Sequence, residues 1–146
     1  MQGIFELKTP SDLLKKLEHD LARIEANLLD SYAAFDFFVT AEHMLDWVYP
    51  NDKEARRQER DSRVELRICS NIANGSKHFE ATAKQHDTVS DTRIHKGRFS
   101  NAFSSGFVTS RLMISLKGDA DQTLGSEISV IAMANKVLAY WKGRLP

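Results

Sequence analysis

The sequence predicts a mostly α protein of the α+β type: a four-helix bundle with a β-hairpin inserted between the third and fourth helices. Two observations carry this. Apolar residues recur at steps of three and four over most of the chain, the period of a one-sided helix. Between residues 85 and 119 that period gives way to strict alternation, the period of a strand. The 146 residues suit one domain spanning 1–146, large enough to bury a core.

The first helix opens at Thr9-Pro10-Ser11-Asp12, where Thr9 caps, Pro10 fits the first turn and an acid follows. Leu14, Leu17, Leu21, Ile24 and Leu28 then form a narrow apolar seam. Asp30-Ser31 punctuates the chain and caps a second helix, about Tyr32 to Tyr49, which Pro50 and Asn51 end. Phe37, Ala41, Met44 and Val48 form its stripe, widened by Phe38 and Leu45, so this helix belongs at the centre of the core. A third helix is expected from about Lys53 to at least Ala73. Its first turns, DKEARRQERDSR, alternate in charge like a solvated face. Apolar residues return at Val64, Ile68, Ile72 and Phe79.

The alternation of Val108, Ser110, Leu112, Ile114 and Leu116 with their neighbours marks a strand. Its expected partner is Thr88 to Phe99, with 100–106 as the loop and Gly118–Asp121 as the exit turn. A last helix is expected from about Ser126 to Lys142, capped by Ser126, with Val130, Ala134, Val137 and Trp141 buried and Gly143 as its stop.

Composition excludes several classes of function. Lys plus Arg equals Asp plus Glu, 20 against 20, so bulk electrostatic capture of nucleic acid is not expected. One cysteine, Cys69, allows neither an internal disulfide nor a thiolate cluster. No apolar run approaches a membrane span, and the start lacks the pattern of a signal peptide. A soluble protein of the bacterial or phage cytoplasm, without cofactor or metal, is the expectation.

The most informative stretch is 67–79. On a helix, Arg67, Asn71, Asn74 and His78 follow at four, three and four, within about a 60° arc, beside the apolar stripe rather than opposite it. Gly75 leaves two readings open. It ends the helix, which places Lys77 and His78 in a loop, or the helix continues and Gly75 admits a close neighbour. The spacing of Phe79 from Ile72 and Ile68 favours continuation.

A helical bundle bearing Arg67, a nearby Asn71 and then Lys77-His78 late on a core helix resembles the HEPN superfamily (higher eukaryotes and prokaryotes nucleotide-binding). The resemblance covers mainly residues 32–79. The interval from Arg67 to His78 is longer than the family's motif, Ile68 stands where a polar residue follows the Arg, and Asn71-x6-His78 keeps the spacing without the Arg. The resemblance implies a metal-independent ribonuclease of a defence or toxin system, often a homodimer, with RNA as substrate. In it His78 would be general acid or base. Arg67 or Lys77 would hold phosphate, with Asn71 as the third catalytic candidate and Asn74 in the substrate site. The alternative role of Arg67, Asn71 and His78 is to hydrogen-bond a neighbouring helix or the hairpin.

The second helix carries a polar line opposite its core: Asp36, Thr40, His43 and Trp47, with Asp46 near His43. Packed beside the third helix, His43 and Asp46 would join the substrate site; as metal ligands they lack any recognised spacing. The loop aromatics Phe99, Phe103 and Phe107 either meet a partner or close the core. The competing function is a non-catalytic structural or protein-interaction module, pairing through its first helix and hairpin.

Overall fold

The computed structural model describes residues 1–79, 86–97 and 109–146. Its elements are α1 (Pro10–Ala26), α2 (Ser31–Val48), α3 (Lys53–Ser62), α4 (Val64–His78), β1 (Val89–His95), β2 (Arg111–Leu116), α5 (Gly118–Leu124), β3 (Glu127–Ser129) and α6 (Val130–Arg144). The chain is mostly helical with one small antiparallel sheet of order β1-β2-β3. The expected loop 100–106 and the residues Phe99, Phe103 and Phe107 lie outside the described residues.

Local chemistry sets each start. Thr9 and Asp12 form a reciprocal capping box on α1, and the Asp30 carboxylate accepts from the Ala33 amide at 2.8 Å to open α2. Leu13, Leu17, Leu21 and Ile24 are the buried seam of α1. Leu14 sits at its edge, and Leu28 falls beyond the helix. Phe37, Phe38, Ala41, Met44 and Leu45 are buried on α2. Packed on α1 and α4, α2 is central to the core. The inner face of the sheet packs on α6, where Val130, Ala134, Val137 and Trp141 are buried.

Four expectations are corrected. The long third helix is two helices, because Arg63 adopts extended geometry (φ −132°, ψ 123°). The charged stretch buries no residue, so no apolar stripe holds it in line with α4. Glu59 holds it instead: its carboxylate accepts from Tyr49 Oη at 2.5 Å, from Tyr140 Oη and from Arg144 Nε at 3.1 Å. Burial opposes ionisation of Glu59, yet the bonds from Tyr140 and Tyr49 prevail and hold it below the ordinary carboxylate range. The Arg63 guanidinium lies 5.4 Å over the Tyr140 ring.

The exit turn is the short helix α5. Gly118 opens it at φ +62°, in the left-handed region, and a Cβ there would meet Asp87 O at 3.1 Å. The last helix begins at Val130 rather than Ser126, since Ile128 pairs with Ile114 in the sheet and Ser129 Oγ caps the helix. It runs through Gly143 to Arg144. Finally, α4 continues through Gly75 to His78, but Phe79 leaves the stripe. Its backbone turns to φ +64° and its side chain is 94% exposed.

Candidate functional site

The predicted polar face of α4 divides into three parts. Arg67 clamps Asp119 of α5 through both terminal nitrogens, Nη1 at 3.0 Å from Oδ1. That contact holds the Asp119 carboxyl below its usual range. Asn71 is buried, and its Oδ1 accepts from Val89 N at 3.0 Å, Thr88 N at 3.3 Å and Thr88 Oγ1 at 3.3 Å. It fixes the first residues of β1 to α4. Lys77 and His78 are exposed at the last turn, and Asn74 is half-buried.

On α2, His43 and Asp46 are exposed, and Asp46 pairs with Arg56 of α3. The expected polar line does not hold together. Thr40 is buried, Trp47 packs against the core, and Asp36 turns to Arg23 of α1 at 2.7 Å. The residue of α2 that faces Ser70 of α4 is Glu42. Burial pushes the Glu42 carboxyl up, against the pull of Ser70 and Arg60, and its Oε2 has no partner among the described residues. His86, also buried, is pushed down by burial and by Arg60, and its Nδ1 likewise has no described partner. The buried Cys69 thiol, on the side of α4 that faces Glu42, is raised well above its ordinary value by burial, so it is unreactive.

Sequence reasoning missed Glu42, although Phe38 and Leu45 at four and three residues' distance put it at the edge of the stripe. The same holds for buried Asp20, between Leu17 and Ile24, with Lys16 at 2.5 Å and Arg23 at 3.3 Å.

Because the native state disfavours the Glu42 anion, its cost is fully present above the native pKa and absent below the ordinary value of 4.5. Glu42→Gln removes the anion and is therefore expected to stabilise the protein at neutral pH. Acidification should erase the gain. Thermal melts of both proteins across that range check the sign.

The open concave feature lies on the other side of Asn71. Leu112 N donates to Leu28 O and Leu116 N to Ser126 O, so the even residues of β2 turn their backbone groups away from β1. The odd residues bond β1 through Asp91, Arg93 and His95. The backbone groups of Thr92 and Ile94 therefore point to the outer edge of the sheet. Their side chains share the inner face with their cross-strand partners Ile114 and Leu112.

Ala34, Phe35 and Phe38 of α2 form one wall, and Ile72 and Gly75 of α4 form the other. Gly75 offers only backbone, which keeps that wall low. The groove holds about 730 Å³. Phe35 (50%), Phe79 (94%) and Ile94 (56%) stand exposed along it, and Asp91, Arg93 and Lys117 supply charge at its rim. Among the described residues no cluster of His, Cys, Asp or Glu could hold a metal, and no helix is long and apolar enough to cross a membrane. No family model, curated protein or solved structure matches the chain.

Proposed function

We propose that this chain is a non-catalytic protein-interaction module that takes an extended apolar segment into the α2–α4–β1 groove. The observation that carries this reading is the coincidence of a groove bearing the exposed apolar side chains of Phe35, Phe79 and Ile94 with an outward-facing strand edge. An added strand would bond the outward groups of Ile94 and Thr92, while its alternate side chains enter the groove over Ile94, Leu112 and Phe35. Three exposed apolar side chains along one groove favour a protein partner.

The ribonuclease reading draws less support. Arg67 is engaged by Asp119 and Asn71 by the start of β1, so on that reading His78 and Lys77 would act without their expected companions. A divergent HEPN-like origin, a bundle architecture, a cytoplasmic place and a role in a bacterial or phage defence system remain compatible with a module that binds rather than cleaves.

Panning a random-peptide display library against the sparsely immobilised protein tests the proposal. Enriched peptides should carry apolar residues at alternate positions. They should bind Phe35→Ser roughly tenfold more weakly, as for loss of an aromatic anchor. Absence of enrichment, or binding indifferent to Phe35, would overturn it.

A further inference from the structure

Resting on the interaction-module reading, we infer that the outer edge of β1 pairs with β1 of a second copy, antiparallel about a two-fold axis at Thr92.

The strand is an edge by topology, since the sheet order places β2 on one side of β1 and no described strand on the other. Parity limits the ways in which two such edges can join. Outward-facing residues must bond outward-facing residues, so the two-fold axis must fall on a residue rather than between two, and the positions nearest the centre of Val89–His95 are Asp91, Thr92 and Arg93. An axis at Asp91 sets Asp91 against Asp91 of the second copy. An axis at Arg93 sets Arg93 against Arg93. Like charges directly opposite one another are destabilising. An axis at Thr92 instead sets Asp91 opposite Arg93 of the second copy, and Arg93 opposite its Asp91. Two ion pairs then flank a Thr92–Thr92 pair, which exchanges two backbone hydrogen bonds. Thr92 is also the midpoint of Val89–His95. Charge and hydrogen-bond parity are both met by this alignment.

The side chains are placed for it. Asp91 Oδ1 accepts from Thr92 N at 2.8 Å, so in the monomer the outward amide is held by its own neighbour. Pairing transfers that amide to the carbonyl of Thr92 in the second copy and frees the carboxylate for Arg93. Arg93 gives Nε, at 3.2 Å, and Nη2 to Glu127 of its own chain. Its Nη1 remains to donate to Asp91 of the second copy. The bulge at Val89–Asp91 leaves Asp91–His95 regular, and about an axis at Thr92 the regular stretches of two copies overlap over Asp91–Arg93, the residues that carry the charges. An edge bearing one charge of each sign pairs with itself rather than repelling itself, unlike an edge guarded by lysines alone.

The test is sedimentation velocity across the micromolar range on wild type, Asp91→Arg, Arg93→Asp and an equimolar mixture of the two variants. Wild type is expected to show concentration-dependent doubling of mass. Each variant alone places like charges opposite each other twice and should associate roughly tenfold or more weakly. In the mixture, a chain with two basic residues at positions 91 and 93 meets a chain with two acidic ones. Both ion pairs are restored, and the dimer should return. Recovery on mixing is a signal that misfolded chains do not give. Thr92→Pro removes the outward amide without touching a bond to β2 and should also be monomeric. A monomeric wild type, a dimer indifferent to Thr92→Pro, or single variants that dimerise alone would each overturn the inference. A monomeric wild type that still selects alternating peptides would leave the interaction module standing, whereas a monomer that selects none would end both.

Discussion

Asn71→Ala is expected to destabilise the protein by about 2–4 kcal/mol, the largest effect of any polar substitution on α4. Asn71 is 6% exposed, and its carboxamide oxygen accepts from two backbone amides and the Thr88 hydroxyl. Truncation leaves those donors without a partner where water does not reach Thr88, which is fully buried. A side chain present only for catalysis could be removed with stability unchanged, so urea denaturation of the variant separates the two roles. The strand held by this contact carries the proposed docking edge. Amides of β1 should therefore exchange faster in the variant than those of α1.

Phe37→Ala is expected to cost about 3–5 kcal/mol, while Phe35→Ser two residues away should change stability by no more than about 0.5 kcal/mol. Phe37 is fully buried and meets Phe38 edge to face at 5.6 Å. Truncation removes its transfer energy and leaves a cavity that the close-packed α1–α2–α4 core fills only in part. Phe35 is half exposed on the lip of the groove. Both are aromatic residues of one helix, and helical geometry assigns one to the fold and the other to the surface. Thermal melts of both variants check the contrast, and wild-type melting of Phe35→Ser validates its use as a binding probe.

Much of this architecture was legible from periodicity. The seams of α1 and α2, the buried stripe of α6 and the alternation of β2 follow from spacings of three, four and two, because burial on one face dictates them. Elements set by longer-range contacts were not legible. The break at Arg63 depends on Glu59 meeting Tyr140 and Arg144, far along the chain. The strand Glu127–Ser129 is three residues long, too short to show a period, and exists because Ile128 finds Ile114. Gly118 and its short helix read equally well as a turn.

For the site, helical spacing correctly placed Arg67, Asn71 and Asn74 along one side of α4. Spacing carries no information about partners, so it could not say that Asp119 and Thr88 would take up Arg67 and Asn71. Glu42 stands at the edge of an apolar stripe, where helical spacing alone does not separate a buried carboxylate from a solvated one. The groove was not foreseen because its floor comes from β1 and β2 and its walls from α2 and α4, four segments that only the fold brings together.

The central claim is that the polar face of α4 serves structure and that function lies at the groove. Its most direct test is incubation of purified wild type and folded His78→Ala with a mixed RNA pool in EDTA. The account predicts no cleavage by either protein above a protein-free control. Cleavage by wild type that disappears in His78→Ala would contradict it and return α4 to a catalytic role.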